Sequence, residues 1–132
     1  MKVLAVIATV LFLQNIPKHD PTGIWVSDSG SKYELRLSGS DLHVKLVPGS
    51  NAKFLQYEVE MKNESEINTY SGKGFLVAKM QTGKECKFPT EWRFIVVSPT
   101  QILGSSQSTI ADGNTCEIQE TEQIRLDMKK EK

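Results

Sequence analysis

Apolar and polar residues alternate one by one along most of the chain after Gly23. The alternation is regular over residues 33–37 and 42–46, and over residues 55–61 the apolar side chains again occupy every second position. A period of two is typical of β-strands with one buried and one solvated face. No long stretch has the 3.6-residue spacing of an amphipathic helix. The pattern therefore predicts an all-β fold.

Short polar segments rich in glycine, serine, asparagine and aspartate separate the apolar runs, as expected of turns. The predicted strands cover residues 23–27, 31–38, 41–47, 53–62, 69–80, 87–97, 101–108 and 115–128. Because the links are short, consecutive strands are expected to be antiparallel neighbours. Such a series removes its free edges by closing on itself, so we expect an eight-stranded up-and-down β-barrel. A two-sheet β-sandwich is the alternative.

The start of the chain differs in character from the rest. A short charged beginning precedes an apolar run over residues 3–13, and a polar segment follows over residues 14–21. This order is typical of a secretory signal. The run is shorter than the roughly 20 apolar residues that span a bilayer.

We therefore expect a signal peptide with its exit segment over residues 1–20 and a single barrel domain over residues 21–132. The protein is expected to be secreted or periplasmic, without a membrane span in the mature chain. No small-x-small cleavage site precedes Pro17. A buried segment of the mature fold is therefore the alternative for the apolar run.

Two cysteines, Cys86 and Cys116, fit an oxidising compartment, where an even number of cysteines is usually paired. In the predicted meander they begin the sixth and eighth strands at one rim, with the seventh strand between them. Two strand spacings, about 9.5 Å, are too far for a disulfide between ladder positions, so a bond requires a cysteine in a loop. Two buried free thiols are the alternative. Asn63 begins a glycosylation sequon in a predicted loop, which matters only in a eukaryotic source.

The opening of the first strand carries a family resemblance. Gly23-Ile24-Trp25 resembles the G-x-W signature of lipocalins and the wider calycin group, whose tryptophan closes one end of an eight-stranded barrel. Residues 23–31 are also similar to the avidin opening, G-x-W-x-N-x-x-G-S, but Ser27 stands where avidins have an asparagine that helps to hold biotin. The resemblance implies that Ser31 contributes a ligand-contacting hydroxyl.

Charge and motifs narrow the range of functions. Sixteen basic and sixteen acidic residues cancel, so no field of one sign favours nucleic acid or an anionic membrane. Catalytic, metal-binding and phosphate-binding motifs are absent, and neither His19 nor His43 has a plausible catalytic partner. We expect no enzymatic activity, no metal and no cofactor, with a hydrolase or isomerase that uses interior glutamates as the alternative. The oligomeric state is left open.

The last predicted strand breaks the binary pattern. Glu120 and Glu122 share parity with Ile124 and Leu126, so both carboxylates point toward the interior if the register holds. Unpaired carboxylates there would be costly, and such exceptions tend to lie at functional sites. One hypothesis is that they bind a polar or cationic ligand group. The alternative is a β-bulge or slipped register near Thr121, or a position at the barrel mouth that is already wet.

Five aromatic residues also occupy predicted inward positions: Trp25, Tyr33, Tyr57, Trp92 and Phe94. Core filling and ligand stacking are both open to them, and a buried phenol needs a hydrogen-bond partner. The pattern as a whole predicts an exported small barrel that binds a small ligand non-covalently in its cavity or mouth. The alternative is an interaction protein or inhibitor that acts on an extracellular protein through loops or an exposed edge. An interior without ligand-sized space favours that alternative.

Overall fold

The computed structural model describes residues 16–132 and contains no helix in that range, hence none that could cross a membrane. The proposed signal run at residues 3–13 lies outside the described residues. Eight strands follow one another: β1 (Gly23–Ser27), β2 (Lys32–Ser38), β3 (Asp41–Leu46), β4 (Phe54–Asn63), β5 (Thr69–Lys79), β6 (Glu85–Ser98), β7 (Gln101–Ala111) and β8 (Ile118–Lys130).

The strands form a closed barrel in which each strand pairs antiparallel with the next along the chain. β8 returns to β1, with Trp25 opposite Lys130 and Ser27 opposite Met128. The predicted all-β, up-and-down barrel is therefore confirmed, and the sandwich alternative is excluded. The alternating pattern explains the fold directly, since the buried side of every strand contributes to one continuous core.

The residues that precede β1 cover one end of the barrel, which we call the Trp25 end. Trp25 is fully buried, and its indole Nε1 donates a hydrogen bond of 2.8 Å to the carbonyl of Pro21. Asn68, in the β4–β5 loop, accepts from the backbone N–H of His19 at 2.8 Å and donates to the carbonyl of Pro17 at 2.9 Å. The described part of the predicted exit segment is thus tied to the barrel.

Glycines allow the barrel wall to bend sharply between β4 and β5. A Cβ added at Gly72 would lie 2.6 Å from Cα of Met61, and one added at Gly74 would lie 2.6 Å from Cα of Val59. Both glycines stand opposite these residues in the ladder. Their missing side chains let the two backbones approach closely.

At the opposite end the barrel is only partly closed. The β6–β7 ladder ends at Trp92 opposite Ser106, and the β8–β1 ladder ends at Met128 opposite Ser27. The β7–β8 ladder continues well past both points, to Ala111 opposite Ile118. Residues 107–111 and 118–127 therefore form a two-stranded extension, called the hairpin arm below, without a paired strand among residues 16–132 on either side.

A disulfide fastens the hairpin arm to the rest of the barrel. Cys86, on the buried face of β6, bonds to Cys116 in the β7–β8 loop, with Cα atoms 5.5 Å apart. The backbone of Cys116 has a left-handed conformation, with φ of 64°. The predicted disulfide and its need for a loop cysteine are both confirmed, although the strand expected to begin at residue 115 begins at Ile118. We call this end of the barrel the disulfide end.

Candidate binding cleft at the disulfide end

A small cavity lies where the hairpin arm separates from the neighbouring wall. Its volume is about 80 Å³. The wall formed by β4, β5 and β6 contributes Phe54, Leu76 and Phe88, with Met80 just beyond β5, while the arm contributes Ser108 and Ile124. Because ligand pockets usually enclose about 300–1,000 Å³, this space holds only one small group of a ligand. The remainder of a ligand would lie on the exposed inner face of the arm.

Below the cavity, an aromatic cluster fills the barrel. Phe54 packs edge-on against Tyr57 with ring centroids 5.4 Å apart, and Tyr57 in turn contacts Trp92 at 5.5 Å. Tyr33 completes the cluster, with its ring 5.1 Å from that of Trp92. Tyr33, Tyr57 and Trp92 are each at most 5% exposed. The structure therefore brings three of the predicted ligand-contacting aromatics together as a packed floor.

The polar atoms of Tyr57 and Trp92 form hydrogen bonds with each other and with Thr90. The indole Nε1 of Trp92 donates to the hydroxyl oxygen of Tyr57 at 2.9 Å, and that hydroxyl lies 3.1 Å from Oγ1 of Thr90. Burial raises the pKa of Tyr57 above its ordinary value, although the hydrogen bonds with Thr90 and Trp92 oppose the shift. Burial, followed by the neighbouring Tyr57, likewise raises the pKa of Tyr33. Both phenols are therefore protonated at neutral pH.

Glu120 and Glu122 lie on the hairpin arm and are exposed. The register is unbroken from Met128 to Glu120, so both keep the parity of Leu126 and stand opposite Ile110 and Ser108. The irregularity in the ladder falls beyond Glu120, not near Thr121. The carboxylates thus face the inner side of the arm at a wet position, which is one of the arrangements expected from the sequence.

The surroundings of these carboxylates are partly apolar. Ile110 and Ile124, on the same face of the arm, are 47% and 45% exposed. Neither Glu120 nor Glu122 forms an ion pair within residues 16–132. Lys53, which lines the cavity from the opposite wall, has no ion pair there either. The inner face of the arm can therefore offer both apolar contact and negative charge.

Two other predicted ligand-contacting residues, Trp25 and Ser31, are not part of the cavity lining. Trp25 is at the opposite end of the barrel. Ser31 is 2% exposed in the β1–β2 turn, and its hydroxyl accepts a hydrogen bond of 2.6 Å from Nδ2 of Asn51. Neither lines the cavity. Asn63, expected in a loop, is the last residue of β4, and its Nδ2 donates to the carbonyl of Thr69 at 3.0 Å.

Sequence reasoning did not single out most of the residues that line the cavity. Phe88 follows the same alternation as Trp92 and Phe94, so its inward position was readable. Phe88 lines the cavity because the β6–β7 ladder stops before reaching it. Pro89 is the one residue in the local sequence that indicates where this ladder stops. Proline has no N–H to donate to a second strand neighbour, and it is tolerated where a strand is paired on one side only.

Among residues 16–132, no group of three or more histidine, cysteine, aspartate or glutamate side chains could hold a metal ion. No protein-family model, curated protein or solved structure matches the chain. The resemblance to lipocalins and avidins therefore depends on Gly23, Trp25 and the closed barrel itself, which is compatible with a calycin-like architecture.

Proposed function

We propose that this protein is exported and binds a small amphipathic molecule non-covalently in the cleft between the hairpin arm and the β4–β6 wall. The observation that carries the proposal is a small cavity lined by Phe54, Phe88 and Ile124 together with Lys53, next to an arm whose Glu120 and Glu122 form no ion pair within residues 16–132. The cavity would take a small apolar group. Glu120 and Glu122 would pair with a cationic group of the same ligand. The Cys86–Cys116 disulfide fits the oxidising compartment that export implies.

A matched pair of naphthalene probes, one with an aminoethyl group and one with a carboxymethyl group, tests the proposal by titration calorimetry. The ammonium probe is expected to bind more tightly. Replacing both carboxylates, with Glu120→Gln and Glu122→Gln, should weaken it about five-fold, since exposed ion pairs contribute about 0.2–1 kcal/mol each. Binding of neither probe, or unchanged binding to the double variant, would contradict the proposal.

Filling the cavity provides an independent test. Ser108→Phe places a large side chain in the cleft and should abolish probe binding. Ser105→Phe is the matched control, because Ser105 alternates to the outer face of the same strand and does not line the cavity. Retention of binding by Ser108→Phe would show that the probe lies elsewhere.

An interaction protein or inhibitor is the second candidate, and the rigidity of two loops favours it. The β5–β6 and β7–β8 loops are joined by the disulfide and by a 2.6 Å hydrogen bond from Oγ1 of Thr82 to the carbonyl of Gly113. Nζ of Lys84 donates to the carbonyl of Asn114 at 2.9 Å. Preordered loops lose little conformational entropy on binding a protein. A cleft that binds neither probe, in a protein that still recognises an extracellular partner through these loops, would favour this candidate.

A further inference from the structure

Along the hairpin arm, one edge of β8 has no pairing strand among residues 16–132. Two hydrogen bonds at its far end fix the direction of its backbone groups: the N–H of Lys130 donates to Thr100, before β7, and the N–H of Glu131 donates to Ile24 in β1. In an antiparallel ladder this direction alternates from residue to residue. The even-numbered residues of β8 from Glu120 onward therefore direct their N–H and C=O groups to β7, and the odd-numbered residues direct theirs away from it.

The β1 ladder uses these outward groups only near the end of β8, because it stops at Met128 opposite Ser27. Along the arm, no backbone group of residues 16–132 pairs with the outward groups of β8. The residues with free backbone groups include Thr121, Gln123 and Arg125. An extended peptide can add to such an edge by main-chain hydrogen bonds, and the alternate side chains then decide which peptide fits.

The charge of the edge decides what kind of strand can pair with it. Residues 117–127 contain four carboxylates, those of Glu117, Glu120, Glu122 and Asp127, and one cation, Arg125. Residues 101–111 of β7 contain no charged residue. A second copy of this chain paired so that its Glu122 lies opposite Glu120 would bring like charges directly together, which destabilises a sheet. Charged residues on an edge are a known means of preventing such self-association.

The geometry points to an extended basic segment of another protein as the occupant, added as a further antiparallel strand beside β8. Lysine or arginine side chains of that segment would face Glu120 and Glu122, and an apolar side chain would face Ile124. The carboxylates then act twice, excluding a second copy and admitting a basic strand. This inference goes beyond the proposed function, because it concerns the backbone edge and requires no ligand in the cleft.

A seven-residue peptide, Thr-Ile-Thr-Lys-Thr-Lys-Thr, provides the test with the full-length protein. In antiparallel register its isoleucine lies opposite Ile124 and its lysines lie opposite Glu122 and Glu120. Hydrogen exchange followed by NMR should show new protection at the amides of Thr121 and Gln123. The amides of Glu120 and Glu122 should change little, since β7 already protects them. Absence of binding, or protection that does not alternate, would overturn the inference.

Two substitutions at Thr121 distinguish the contribution of its backbone N–H to peptide binding from that of its side chain. Thr121→Pro removes a free N–H without touching the β7 ladder and should weaken peptide binding about ten-fold. Thr121→Val, the matched control, keeps the N–H and should bind within about two-fold of the natural protein. Gln123→Pro repeats the test at a second position. Full peptide binding by both proline variants would overturn the inference. If those variants bind the peptide fully and Ser108→Phe does not, the peptide lies in the cleft.

Two modified peptides test the same point without altering the protein. Methylation of the backbone nitrogens of the third and fifth residues removes the donors that face β8, and binding should fall about ten-fold. Replacement of both lysines by glutamate should abolish binding, and the double variant Glu120→Lys and Glu122→Lys should restore it. Equal binding of the methylated and unmethylated peptides would overturn the inference even if the proline variants do not fold.

Discussion

Two buried tyrosines show how differently one hydroxyl group can contribute to the core. The Tyr57 hydroxyl accepts from Trp92 and lies beside Thr90, so the polar atoms of Tyr57 and Trp92 are satisfied together. The Tyr70 hydroxyl, at the Trp25 end, is buried without a hydrogen-bond partner among residues 16–132. An unpaired buried hydroxyl loses its hydration without compensation.

The two tyrosine-to-phenylalanine substitutions are expected to differ in their effect on the free energy of unfolding. Tyr57→Phe should lower it by about 1–3 kcal/mol, because the buried indole N–H of Trp92 loses its acceptor. Tyr70→Phe should leave it unchanged or raise it by up to about 1 kcal/mol, because no bond is lost. Urea unfolding followed by tryptophan fluorescence measures both. Equal losses would show that Tyr57 contributes only through its ring.

At the level of strands, curvature depends on close backbone approach between β4 and β5. Gly74 lies opposite Val59, and an added Cβ would collide with the backbone of β4. Moving the backbone there would also shift the strand that carries Tyr57. The glycines of β5 therefore fix where the aromatic floor lies relative to the cleft.

Gly74→Ala should lower the free energy of unfolding by about 3 kcal/mol, because neither backbone can move away without breaking the ladder. Gly113→Ala is the control. Its added Cβ would lie 3.3 Å from Cγ2 of Thr82, a contact with a side chain that a displacement of a few tenths of an ångström relieves, so the loss should stay below about 1 kcal/mol. Chemical denaturation of both variants measures the difference. Comparable small losses would mean that the β4–β5 wall can relax.

Over the whole molecule, the closed barrel buries every tyrosine of the chain. Tyr33, Tyr57 and Tyr70 are at most 5% exposed, and burial raises the pKa of each above the ordinary value of 10.0. In the unfolded chain these phenols ionise near that value. The folded state therefore retains its protons to higher pH than the unfolded state does.

A phenol whose pKa is raised by folding stabilises the protein fully below the unfolded pKa, and this contribution declines as pH rises through the folded pKa. The free energy of unfolding should therefore decrease above about pH 10, by up to about 1.4 kcal/mol per pH unit for each tyrosine. Absorbance at the tyrosinate band and circular dichroism should change together in one alkaline transition. Reversible tyrosinate formation in the folded protein at a pH below this transition would contradict the burial of the three tyrosines.

Side-chain alternation together with the short turn segments was sufficient to predict the number of strands, their antiparallel order and the inward aromatics, because alternation shows which face of each strand is buried and a short link joins antiparallel neighbours. Parity also placed Glu120 and Glu122 on the inner side of β8. It could not show that this side is exposed, since exposure depends on where the neighbouring ladders stop. The same limitation left Phe54 and Met80 unrecognised as cavity residues.

The sequence by itself determined a series of alternating strands, the turns between them and the need for a loop cysteine in any Cys86–Cys116 bond, since these follow from local periodicity and bond geometry. Only the tertiary structure decided that the strands close into a barrel, that the preceding chain covers its Trp25 end and that its wall separates at the disulfide end. The lengths of the β6–β7 and β8–β1 ladders set this difference, and they depend on the register between distant segments. The cleft and the free edge of β8 both arise from those two ladder ends.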